Sequence, residues 1–173
     1  AKRGYNTDGS GFLQMLRAAK IETQGKKILV LGAGGSGRSS AVALKRSGAT
    51  VFMYRRNRAE LEETCAQLGV NVADDPEAGG FDILINTTGV GMHDTVGVSP
   101  VTAKAFRGAA AAVDLIYKPE KSEFLRIAEN EGLRICNGAA MLFYQAYYAD
   151  CLYLSLRPSE EQATGLYAKY LAE

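Results

Sequence analysis

Apolar residues along the chain fall into two kinds of run, and the two kinds alternate. Ile28-Leu29-Val30-Leu31, Thr50-Val51-Phe52-Met53-Tyr54, Asp82-Ile83-Leu84-Ile85-Asn86 and Ala112-Val113-Asp114-Leu115-Ile116 are short and nearly continuous. Runs of this kind mark strands buried on both faces. Asn71-Val72-Ala73 fits a short edge strand and Arg134-Ile135-Cys136 a last short one. Between them the apolar positions are spaced as on helices. One helix follows Gly37 and carries Ala41-Val42-Ala43-Leu44; another runs from Ala59 to Leu68, with Leu61, Cys65 and Leu68 on one face and Gly69 as its stop; a third spans Ser122 to Asn130, with Gly132 beyond its end. At the front of the chain Phe12, Leu13, Met15, Leu16 and Ala19 give one helical face, which Thr7 or Asp8 is placed to cap. At its end a long helix runs from Ala140 to about Leu156, and Pro158 separates it from a closing helix, Ser159 to Ala172. His93 to Pro100 reads as an exposed loop. Such alternation predicts an α/β fold with one doubly wound parallel sheet and helices on both faces.

Composition narrows the partners. A chain of 173 residues has room for one domain with a proper core, and a net charge of +1 gives no reason to expect nucleic acid or an anionic membrane. No apolar run approaches the roughly 20 residues of a membrane span, and no basic-then-apolar leader opens the sequence, so a cytoplasmic protein is the expectation. Cys65, Cys136 and Cys151 show no C-x-x-C spacing and are expected to be free thiols, with no metal site. His93, the single histidine, excludes a multi-histidine metal centre and argues against a Ser-His-Asp hydrolase.

The most informative stretch is the first apolar run, because it breaks into Gly32-Ala33-Gly34-Gly35-Ser36-Gly37. Gly32, Gly34 and Gly37 fit G-x-G-x-x-G between a strand and a helix, with a second strand at the right distance. That is the dinucleotide fingerprint of a Rossmann-like fold: one glycine for the turn, one for close backbone approach to a pyrophosphate, one for helix–strand packing. Where an NAD-binding chain usually places an acidic residue, this one has Arg55-Arg56-Asn57-Arg58. Guanidinium groups suit a 2′-phosphate, so NADP is the expected cofactor, and an anion nearby also explains cations at the unfavourable end of a helix dipole. The strand ending at Asn86 breaks into Thr87-Thr88-Gly89-Val90-Gly91-Met92, a turn expected beside the nicotinamide half. Tyr144, Gln145, Tyr147, Tyr148 and Tyr153 crowd the long helix, more than one face of a core needs, which suggests that part of it covers another domain.

Four separated segments resemble one family. Gly4-Tyr5-Asn6-Thr7-Asp8-Gly9-x-Gly11, Gly32-Ala33-Gly34-Gly35, Asn86-Thr87-Thr88-x-Val90-Gly91-Met92 and Gly138-x-x-Met141-Leu142-x-x-Gln145-Ala146 are similar to the signatures of shikimate dehydrogenases, in the family's order. The resemblance implies an NADP-dependent oxidoreductase that interconverts 3-dehydroshikimate and shikimate in the aromatic amino acid (chorismate) pathway. It also implies two domains, of which this chain is the NADP-binding one: residues 1–22 as the connecting helix, 23–137 as the Rossmann domain and 138–173 as helices packing back toward an N-terminal substrate domain that carries the catalytic lysine. Without that domain the polypeptide is expected to bind cofactor and to be nearly inert, and its bared apolar helices leave room for a dimer. By position, Asp8 resembles the aspartate that partners the lysine, and Tyr117 and Gln145 resemble substrate contacts. The cofactor positions implied are Gly32, Ala33, Gly34, Gly35, Ser36, Arg55, Arg56, Asn57, Arg58, Thr87, Thr88, Val90, Leu115, Gly138, Met141 and Leu142. The sequence departs from the family at Arg55-Arg56-Asn57 (usually Asn-Arg-Thr), Gly89 (usually Pro) and Lys118 (usually Asn). A quinate dehydrogenase-type relative and a stand-alone NADP(H)-binding or sensing module are the alternatives.

Overall fold

The computed structural model describes residues 4–172. Its elements follow the expected alternation: α1 (Asp8–Ala18), β1 (Lys27–Leu31), α2 (Gly35–Arg46), β2 (Thr50–Tyr54), α3 (Arg58–Leu68), β3 (Asn71–Val72), β4 (Ile83–Asn86), β5 (Ala111–Asp114), α4 (Glu123–Asn130), β6 (Arg134–Cys136), α5 (Ala139–Tyr153) and α6 (Glu160–Tyr170). The strands form one parallel sheet in the order β3-β2-β1-β4-β5-β6. The order in which strands are added reverses between β1 and β4, and a ligand crevice opens at such a switch point, outside the carboxyl ends of the strands. Register aligns those ends: Leu31 pairs with Tyr54 and with Asn86, and Asn86 with Asp114.

Period-two alternation splits the core into two halves. Ile28 and Val30 face one side with Phe12, Met15, Leu16, Leu44, Leu61 and Tyr144, so α1, α2, α3, α5 and α6 cover that face. Leu29 and Leu31 face the other with Phe81, Phe106, Phe124 and Leu125, which brings α4 and a one-turn 3-10 helix at Ala103–Phe106 onto the second face. Residues of α1 and α6 therefore share a core with the sheet, and α1 packs chiefly on α5. Tyr144 is fully buried within this chain, and Tyr147 accepts a hydrogen bond from the Ser159 N–H. Leu152, Tyr153, Leu154 and Leu156 remain exposed.

Several boundaries differ from the sequence reading. The strand β5 stops at Asp114 rather than running on to Ile116, because the Asp114 carboxylate accepts the Ile116 N–H at 3.0 Å and turns the chain. Neither Thr7 nor Asp8 caps α1 through its side chain; Asn6 Oδ1 accepts the Asp8 N–H at 2.8 Å instead. Asp8 stands in the first turn, where its charge suits the helix dipole. The exposed loop contains a 3-10 turn at His93–Thr95, and α5 ends at Tyr153. Among the described residues no helix is long and apolar enough to cross a membrane.

Candidate functional site

At the end of β1 the chain turns at Gly32, whose φ is +103°, and a Cβ there would lie 2.7 Å from Thr87 Oγ1. At Gly37 a Cβ would stand 2.6 Å from the Gly32 carbonyl oxygen. These two glycines are required by the fold itself. Gly34 and Gly35 are not: a Cβ at either position meets nothing within 4 Å. Gly34 is the N-cap of α2 and contributes no side-chain cap, so the first N–H groups of that helix point outward without intrahelical partners. The turn thus leaves open space directly over the positive end of a helix. It has the shape and charge to seat a pyrophosphate.

Beside it lies a cleft of about 800 Å³, walled by Gly32 to Gly34, by Tyr54 to Asn57 and by Thr88 to Val90. The three arginines at its rim have different fates. Arg55 is ion-paired with Glu60, and Arg58 with Glu62 and Asp74, bonds that hold the Arg58 guanidinium above its ordinary pKa. Arg58 does not line the cleft. Arg56 does, and among the described residues it has no carboxylate partner. Asn57 lines the cleft as well, while its side chain accepts the Glu60 N–H and caps α3.

A second hollow of about 390 Å³ shares Thr88 and Gly89 with the first as lining, and Ser36, Thr87, Leu115 and Tyr117 help to form it. Both hollows depend on the turn after β4, which is tied down from within. Thr87 Oγ1 donates to the Leu31 carbonyl oxygen at 2.8 Å. Asn86 Oδ1 accepts from the Thr88 N–H at 3.0 Å and from Thr88 Oγ1 at 2.7 Å, and Thr88 Oγ1 accepts the Val90 N–H at 3.2 Å. Behind Asn86 lies Asp114, fully buried, which burial pushes up in pKa against the opposing pull of its hydrogen bonds from Ser122, Ile116 and Asn86.

The remaining sequence candidates, Asp8, Gly35, Gly138, Met141, Leu142 and Gln145, line neither hollow. Gly138 locks α5 to the end of β5: its N–H donates to the Ile116 carbonyl oxygen at 3.2 Å, and a Cβ would fall 2.0 Å from the Leu115 carbonyl oxygen. Met141 packs against the core, Leu142 is 53% exposed, and Gln145 Nε2 donates to the Leu142 carbonyl oxygen at 3.2 Å. α1 crosses α5 with Gly11 against the Gln145 backbone, and Asp8 stands three residues before that crossing. Other lining residues were not read from the sequence as site positions. Thr95, Val98, Ser99 and Pro100 close the first cleft from a loop without periodicity, and exposed His93 and Lys118 border the second hollow.

No protein-family model matches the chain. Its sequence is 37% identical over 159 residues to the shikimate dehydrogenase (NADP(+)) of Caldanaerobacter subterraneus subsp. tengcongensis, covering 85% of this chain and 56% of that protein. It is 38% identical over 155 residues to a shikimate dehydrogenase (NADP(+)) of Thermus thermophilus, covering 90% and 58%. The chain therefore spans just over half the length of these relatives. Among solved structures, the Thermus thermophilus shikimate 5-dehydrogenase in complex with NADP(H) and shikimate superposes with a TM-score of 0.84 at 35% identity, over 94% of this chain and 61% of that one. A chorismate mutase/shikimate 5-dehydrogenase fusion protein from Clostridium acetobutylicum matches with a TM-score of 0.84 at 29% identity, over 98% and 64%.

Proposed function

This chain belongs to the shikimate dehydrogenase family, matching its NADP-binding domain in sequence and fold, and we propose that it is the cofactor-holding part of an oxidoreductase that interconverts 3-dehydroshikimate and shikimate. The observation that carries this reading is the pairing of an open glycine cradle over the α2 N-terminus with an uncommitted Arg56 at the rim of the adjoining cleft. The cradle suits the pyrophosphate. Arg56, with planar donors and no acidic partner among the described residues, suits the 2′-phosphate that distinguishes NADP from NAD. Thr87, Thr88, Leu115 and Tyr117 line the second hollow, which shares Thr88 and Gly89 with the first and suits the nicotinamide end.

The nicotinamide supplies or accepts hydride; the rest of the chemistry is proton transfer and positioning. Asp8 is the group we assign beside a lysine from a substrate-binding domain outside these 173 residues. A carboxylate there keeps the amine charged until a proton moves at the substrate oxygen. Tyr117 and Gln145 are assigned to substrate on the same reading, with the substrate seated between this chain and that domain.

The test is a calorimetric titration of the 173-residue chain with NADPH and NADH. NADPH binds more tightly, and Arg56→Ala weakens NADPH by about 10- to 100-fold while leaving NADH nearly unchanged, the range for one charge-assisted contact. Equal loss for both nucleotides, or tighter NADH binding in the unaltered chain, overturns the assignment of Arg56 and with it the choice of cofactor.

A further inference from the structure

Asp114 ends β5 with its side chain wholly inaccessible, and it lines neither hollow. Its two carboxylate oxygens take three donors from three different segments. Asn86 Nδ2, at the end of β4, donates at 3.1 Å; the Ile116 N–H donates at 3.0 Å; and the hydroxyl of Ser122, the N-cap of α4, donates to the second oxygen. The orientation of the Asn86 amide follows from chemistry. The Thr88 N–H can only donate, so Asn86 Oδ1 must face it, which leaves the amide nitrogen for Asp114 and for the Val90 carbonyl oxygen at 3.3 Å.

A single buried carboxylate is thereby tied to both sides of the second hollow. Through Asn86 it holds Thr88, which both hollows share, and the turn on to Val90 of the first; through the Ile116 amide it holds the segment from Leu115 to Tyr117, which lines the second alone. Burying a carboxylate inside a sheet costs free energy that an apolar residue of similar size would not, so packing alone does not call for one here. What an apolar residue cannot do is accept hydrogen bonds from two walls at once.

We propose that Asp114 is a positioning residue for the nicotinamide end of the dinucleotide, setting the spacing between the 88–90 and 115–117 walls through Asn86 and the Ile116 amide. This rests on the NADP reading above and deepens it. The adenosine end is left to Arg56, Asn57 and the glycine turn, to which none of the carboxylate's own bonds reach. Removing the acceptor strands the donors of Asn86, Ile116 and Ser122, and the walls relax to satisfy them.

The experiment titrates the 173-residue chain with NADPH and with adenosine 2′,5′-bisphosphate, which reports on the adenosine end alone. Asp114→Ala weakens NADPH by about tenfold or more and the bisphosphate by less than about twofold. Asp114→Asn recovers most of the NADPH affinity, because its amide oxygen still accepts from Asn86 and Ile116 while the Ser122 hydroxyl turns to accept from the new amide. Should Asp114→Ala fail to fold, Thr88→Val, which cuts the same chain of bonds at a half-buried position, is expected to give the same selective loss. An unaltered chain that binds both ligands, together with variants that bind them alike or lose both in parallel, overturns the positioning role alone. An unaltered chain that binds neither ligand overturns the cofactor reading, and this inference with it.

Discussion

At the glycine turn, Gly32 and Gly34 stand two residues apart and answer to different demands. Gly32 has φ of +103° and no room for a methyl group, so Gly32→Ala is expected to lower unfolding free energy by about 2 kcal/mol through strain and overpacking. Gly34 has φ of −75°, a value open to any residue, and its Cβ would enter empty space. Gly34→Ala is expected to change stability by less than about 0.5 kcal/mol, lost cap preference offsetting reduced chain entropy. It should nonetheless weaken NADPH by about tenfold, because the methyl occupies the space assigned to the pyrophosphate. Denaturant unfolding and a nucleotide titration, run on both variants, separate the two demands; a Gly34→Ala variant with unaltered binding would remove the pyrophosphate from this turn. The fingerprint made these glycines legible in the sequence as a set. Their separate roles followed from the fingerprint too; what was not legible is the group that bars a side chain at Gly32, since Thr87 arrives from the turn after β4, far along the chain.

The helices and strands themselves were legible because burial imposes its period on the apolar residues. β2 and β6 have the bounds that the apolar runs marked, and Gly69 ends α3 in the left-handed conformation with φ of 62°. β5 was read too long for a reason the period cannot show: Asp114 interrupts an apolar run with a backbone-binding carboxylate, and the run continues beyond the strand as lining of the second hollow. The crossing of α1 on α5 was equally silent, since nothing in Gly11 alone says what it touches. A Cβ there would lie 2.6 Å from the Gln145 backbone nitrogen. Gly11→Ala is accordingly expected to cost about 1–3 kcal/mol, read as a fall in melting temperature, while NADPH affinity stays within about twofold because neither hollow includes this crossing. A variant as stable as the unaltered chain would show that the two helices do not approach as closely as described.

At the scale of the whole molecule, ligand and fold are coupled by mass action. NADP at about 100 times its dissociation constant stabilises the chain by about 2.7 kcal/mol, which for a domain of this size raises the melting temperature by about 5–10 °C. NAD at the same concentration should give a clearly smaller rise, and a thermal scan at matched concentrations checks it. Strand alternation and the glycine turn, both local in the chain, were enough for the sequence by itself to determine the fold class, because secondary structure and backbone turns are written in spacings of a few residues, while the resemblance to the family rested on the four signature segments. The strand order, the alignment of Leu31, Tyr54, Asn86 and Asp114 along one edge, and the release of Arg56 while Arg55 and Arg58 are neutralised were decided only by the tertiary structure. Each of those depends on which distant side chains meet, and a charge or a carboxylate takes its role from the partner that folding brings to it.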